Sequence, residues 1–252
     1  VIRTTLACIC TGVFFAQAAI SFTGKDENGV EIHERIVADA LGGTFSEGNL
    51  KIIQKACASQ DRPGGAGADE ARRHFATNKM TQSLAYIDRE KKKALNFAND
   101  ADTSESDRMR ALYYFGLMLH TCQDFYSRSN YLETKLTEVK KGNTVDPYNI
   151  DLVDWSKVSL EGSTITSGPD PSLDKTTPET DQGKKKLNGA TLFKAAKELA
   201  VRETERQWNM FEALVRHRYQ GRANAILTAM KKQNCDQKFD IDKIEQGLDM
   251  PE

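Results

Sequence analysis

Apolar residues recur every three or four positions along three long stretches of this chain and alternate almost nowhere. The first stretch runs from Asp69 to Asn96, with Phe75, Leu84, Ile87 and Leu95 as its apolar contacts. The second opens at Ser104, an N-cap residue with Asp107 three positions on. It continues through Leu112, Phe115, Leu119 and Tyr126 towards Val139. The third spans Ala190 to Lys232 and carries Phe193, Ala196, Leu199, Ala200, Phe211, Leu214 and Val215. Two shorter helices are expected at Glu34–Leu41 and Asn49–Ala58. Only Lys157–Thr166 hints at a hairpin, through Val158, Leu160 and Ile165 around Glu161-Gly162. The pattern predicts an all-α fold: a multi-helix bundle with one long irregular excursion.

Two breaks interrupt the helical pattern. Asp61–Gly67 is a loop by its Pro and Gly content, and Gly142–Lys186, rich in Pro, Ser, Thr and Asp, forms the excursion. At the other extreme, Val1–Ala18 has Arg3 as its one charge, a largely apolar run from Leu6 to Phe15, and the small-x-small sequence Ala16-Gln17-Ala18. That is the form of a cleavable signal peptide, and the run is short for a membrane span. The expected organisation is therefore a signal peptide at 1–18, one helical domain at 19–235 and an acidic tail at 236–252. The expected location is secreted, or periplasmic in a bacterium.

Export changes how the cysteines read. Cys8 and Cys10 leave with the signal, so Cys57, Cys122 and Cys235 remain. One disulfide and one free thiol is the expectation, with Cys57 joined to Cys235 because Cys122 lies inside an apolar helix. Hydrophobic residues make up 39% and charged residues 28% of the 252, enough apolar mass for one core. The net charge of −1 and scattered Lys and Arg give no nucleic-acid footprint. Lys91–Lys93 and Lys184–Lys186 read as solvated runs, or as contacts with an anionic lipid surface.

The four histidines carry the chemistry. In His120-Thr121-Cys122-Gln123-Asp124-Phe125-Tyr126-Ser127-Arg128, residues four apart put His120, Asp124 and Arg128 on one helix face, after the apolar turns Ala111–Leu119. An imidazole and a carboxylate on a buried helix suit a metal ion. The competing reading is a core histidine beside an exposed Asp124–Arg128 pair worth ~0.3–0.5 kcal/mol. His217, between Arg216 and Arg218, reads as part of a solvated face.

This segment, continued through Ser129-Asn130-Tyr131-Leu132-Glu133, resembles the His-Thr-x-x-Asp-Phe-x-x-His-Ser-Asn-x-x-Glu signature of the heterokaryon-incompatibility C family. That family in turn resembles the zinc-dependent phospholipase C and single-strand nuclease fold. Glu31-Ile32-His33-Glu34-Arg35-Ile36 is similar to the family's early Thr-His-x-x-Ile motif, and Arg73-His74-Phe75 to its His-Phe motif. Leu173-Asp174-Lys175 and Leu199-Ala200-x-x-x-Thr204 fit weaker late landmarks. The resemblance implies zinc ligands at His33, His74, His120 and Asp124, with Glu133 as the signature's terminal carboxylate. It also implies a bridging catalytic Asp between His33 and His74 that completes the site, at Asp61 or alternatively Asp69.

Three departures reduce the implied cluster. Arg128 stands where the signature has a second His, Phe193 stands near a late His position, and Ala19-Ile20-Ser21-Phe22 offers no N-terminal Trp. A guanidinium 4 Å from a cation is repelled by ~4 kcal/mol per unit charge at an effective dielectric of 20. It could instead bind phosphate as a bidentate donor. Fewer than three zinc ions are therefore expected. Two readings follow: a protein acting on membranes or other cells through a degenerate zinc phosphodiesterase-type site, or an active phospholipase C-like hydrolase. The departures favour the first and the retained histidines the second.

Overall fold

The computed structural model describes residues 22, 24–61, 71–76, 79–138, 146, 149–158, 163–168, 174–187 and 190–235. The expected signal peptide, Asp69 and the expected tail after Cys235 lie outside them. The described residues form an all-α bundle: α1 (Ile32–Leu41), α2 (Glu47–Ser59), α3 (Met80–Ala98), α4 (Glu105–Arg128), α5 (Tyr131–Glu138), α6 (Trp155–Val158), α7 (Leu192–Tyr219) and α8 (Ala223–Lys232). The described β-structure is a two-residue antiparallel pair, β1 (Lys186–Leu187) with β2 (Ala190–Thr191), and two isolated bridges.

The centre of the bundle is α4, which packs on α2, α3 and α7, while α1 packs on α2 and α7. Ser104 caps it as expected, its hydroxyl accepting from the Asp107 N–H. Nearly every side chain from Met109 to Arg128 is buried, because neighbours cover α4 on all sides. Gly116 makes that closeness possible. A Cβ there would lie 2.6 Å from the Ile53 carbonyl and 2.7 Å from the Ala56 Cβ on α2. The core is completed by an aromatic group in which Trp208 contacts Phe45, Phe115 and Phe211.

Three boundaries differ from the sequence pattern. The helix expected from Asp69 starts at Met80, because Ala71–Arg73 form a single 3-10 turn and Phe75 adopts φ +49°. The long third helix breaks at Gln220, with φ +33°, into α7 and α8. The hairpin does not form as drawn, since Lys157 and Val158 lie in α6. Residues of the excursion instead satisfy carbonyls that end α4 and would otherwise lack partners. The Lys175 N–H donates to the Ser127 carbonyl and the Gly168 N–H to that of Arg128. Lys175 Nζ donates to Ser129 O at 2.9 Å.

The cysteines also differ from expectation. No disulfide joins Cys57, Cys122 and Cys235, and Cys57 is fully buried beside His33 rather than joined to Cys235. The lysine runs make local pairs, Lys92 with Asp88, Lys93 with Glu90 and Lys184 with Asp181. His217 is exposed, as the sequence suggested.

Candidate metal centre

Four separate pieces of chain deliver the cluster. His33 sits in the first turn of α1, Asp61 just past the end of α2, His74 in the turn before α3, and His120 with Asp124 on successive turns of α4. The His74 turn is held by its neighbour. Phe75 is fully buried against Phe125 and Trp155, with ring centroids 5.3 and 5.9 Å away. Its left-handed backbone costs roughly 1–2 kcal/mol, which this burial offsets. Arg73 adds a hydrogen bond to Gln60 at the end of α2.

Asp124 is the hub. Its Oδ2 lies 3.0 Å from His74 Nδ1 and 3.1 Å from His120 Nε2, and those two nitrogens are 3.0 Å apart. Asp61 Oδ1 closes the same space at 3.8 Å from each nitrogen. The other oxygens of both carboxylates face His33, whose Nε2 is 3.3 Å from Asp61 Oδ2 and 3.2 Å from Asp124 Oδ1. His33, His74, His120 and Asp124 are essentially buried, and the Asp61 side chain is 15% exposed. Asp61 Oδ1 and His120 Nδ1 are buried without a hydrogen bond, and Asp124 Oδ1 has His33 Nε2 as its neighbour at 3.2 Å. An orphaned carboxylate oxygen converging with imidazole nitrogens fits a cation. Asp61, His74 and His120 form one group of donors that could hold a metal ion, and His33, Cys57 and His120 form another.

The charges are arranged accordingly. Burial pushes His33 down, but hydrogen bonds to Asp124 and Asp61 outweigh it and hold the imidazole well above its ordinary value. Burial likewise lowers His120, only partly opposed by Asp124. Asp124 would be raised by its burial, yet the charge and hydrogen bonds of His120, with those of His33 and His74, keep it well below the usual carboxylate range. It is ionised wherever the protein is folded near neutrality.

A chain of hydrogen bonds behind His33 sets its orientation. Thr204 Oγ1 donates to the Ala200 carbonyl at 2.8 Å and so accepts from Gln123 Nε2 at 3.0 Å. That fixes the amide with Oε1 towards α1, where His33 Nδ1 donates to it at 2.6 Å and Cys57 Sγ at 3.4 Å. His33 Nε2 is thereby aimed at the two carboxylates. Gln123, Thr204 and Cys57 escaped sequence reasoning as parts of the site. Gln123 adjoins Asp124, and Thr204 had drawn notice only as a late landmark.

One expected ligand is elsewhere, and one expected pairing does not form. Glu133 does not join the cluster: it pairs with fully buried Lys175 at 2.8 and 3.1 Å. Arg128 is 5% exposed, so the exposed Asp124–Arg128 pair does not exist, and no ion pair between them forms. Phe193 and Phe22 pack edge to face 6.2 Å apart, and Phe22 stands edge-on to His33 at 5.7 Å. An apolar wall therefore lies on that side of the imidazole. No family model, curated protein or solved structure matches this chain.

Proposed function

We propose that this chain is an exported zinc-dependent phosphodiester hydrolase, similar to the heterokaryon-incompatibility C proteins, with a centre reduced to one ion. One observation carries the reading. Tetrahedral zinc bound at about 2.0–2.1 Å separates its ligand atoms by about 3.3–3.4 Å. Asp61 Oδ1, His74 Nδ1 and His120 Nε2 form a donor group with separations of 3.0–3.8 Å, and Asp124 Oδ2 lies 3.0 and 3.1 Å from its two nitrogens. The ligand set differs from the one implied by resemblance in that His33 stands in support and Asp61, the bridging candidate, takes its place. Phe22 and Phe193 on one side, Arg128 on another and the diversion of Glu133 to Lys175 leave few donors for further ions.

Zinc bound there would supply Lewis acidity towards a phosphoryl oxygen and would lower the pKa of water. The chain's own groups do the rest. Asp61 and Asp124 orient their oxygens against His33, and His33 Nε2 holds a proton between them. The Thr204–Gln123 pair keeps that nitrogen directed inward. Phospholipid is the substrate class the resemblance suggests.

The second reading keeps the fold and a degenerate site but not the catalysis, and has the protein act on membranes or other cells. It is favoured by the depth of the cluster, where Asp61 alone has noticeable exposure. Elemental analysis and a phosphodiesterase assay on the exported protein separate the two. About one zinc per chain with activity, both lost in His120→Ala, supports the hydrolase. One zinc without activity, or no metal at all, removes the hydrolase and leaves the interaction protein.

A further inference from the structure

Arg128 ends α4 one turn beyond Asp124 and two beyond His120, so all three lie on the same face. Its side chain is 5% exposed. Among the described residues its guanidinium makes no hydrogen bond or ion pair, and its Nε is fully buried without an acceptor. The other buried cation nearby is already engaged, since Lys175 Nζ donates to Ser129 O and to both oxygens of Glu133. The charges bearing on Arg128 are Asp124, Asp174 and Asp61. Asp174 Oδ1 is engaged by the Thr176 N–H and hydroxyl, and Asp61 and Asp124 face the histidines. A guanidinium does not shed its proton to escape burial, so its unused donors call for an oxyanion.

We infer that Arg128 is the fixed-charge half of an oxyanion subsite beside the metal centre, and that the oxyanion is a phosphate group, free or esterified. The inference rests on the zinc reading for its second half. A carboxylate has two oxygens and is satisfied by the guanidinium fork alone. A phosphate offers two oxygens to the fork and keeps others for a second positive group. The negative charges of Asp61 and Asp124 bear on the guanidinium as well as on the histidines, which offsets the repulsion between Arg128 and a bound ion. Arg128 thus fills the role of a phosphate-binding charge where the similar family has a histidine.

Titration of inorganic phosphate into the zinc-loaded full chain tests this, with zinc content measured on every sample. Arg128→Gln should bind phosphate about 10- to 100-fold more weakly at unchanged zinc content, the loss expected for a charge-assisted hydrogen bond. Arg128→Lys should recover part of it, and guards against a glutamine variant that misfolds. Wild-type affinity in a folded, zinc-loaded Arg128→Gln overturns the subsite, as does a wild type that binds no phosphate. If the chain carries no zinc, the same titration of metal-free protein decides. Arg128-dependent binding then keeps the subsite while the zinc reading falls, and its absence ends both. Vesicles of phosphatidylcholine with and without phosphatidylglycerol identify the source. Arg128-dependent binding of either vesicle supports a lipid headgroup, and binding of inorganic phosphate alone a small soluble ester.

Discussion

Replacing Gln123 by Leu keeps the approximate shape of a fully buried side chain and removes its amide. Thr204 loses little, because its hydroxyl still donates to Ala200 O. His33 loses the acceptor of its 2.6 Å bond, in a pocket without solvent. A hydrogen bond to a charged group is worth about 1.5–3 kcal/mol, so Gln123→Leu should destabilise the metal-free protein by about 2 kcal/mol when His33 is protonated. The sign with pH follows from the raised folded pKa of His33. Its contribution is fully present below the unfolded value of about 6.5 and is lost as pH rises through the folded value. The destabilisation by Gln123→Leu should therefore be largest at about pH 5.5 and shrink with increasing pH. Urea denaturation in the presence of a chelator, across a pH series, measures it. A loss below about 0.5 kcal/mol at every pH, or one that grows as the pH rises, would refute the orientation argument. In zinc competition against a chelator the same variant should weaken binding about 10-fold, the lower end for removal of an outer support of a metal site.

Two further substitutions test how the site is held. Gly116→Ala should cost about 1–3 kcal/mol in chemical denaturation, because the new methyl meets the α2 backbone at Ile53 rather than a yielding side chain. Glu133→Gln should destabilise more than Lys175→Met, because it leaves the fully buried Lys175 ammonium without its counter-charge, whereas the 27% exposed Glu133 can turn to water. A difference of about 1–3 kcal/mol in that direction is expected by urea denaturation, and the reverse order would remove the proposed asymmetry.

The sequence alone carried the helical class because its signal is local. Apolar residues three and four apart, Ser104 before Asp107, and the run Ala111–Leu119 dictate helix whatever surrounds them. His120 and Asp124 were legible as neighbours for the same reason, since a helix fixes the i,i+4 relation. His33, Asp61 and His74 were drawn in by resemblance, not by spacing. Their meeting depends on α1, the end of α2 and the turn before α3 all closing on α4, and no periodicity encodes that. The bend at Phe75 was invisible because a buried aromatic can overrule the helical preference of Arg72–Phe75. The Cys57–Cys235 disulfide failed likewise: pairing by elimination ignores that α2 turns Cys57 towards His33 and Gln123. Glu133 read as a ligand from its place in a motif, and only the fold revealed Lys175, 42 residues on, as its partner. Residue types and local periodicity follow from the chain itself. Which buried charges face one another is settled by packing, because the desolvation that makes those encounters matter exists only once the bundle has closed.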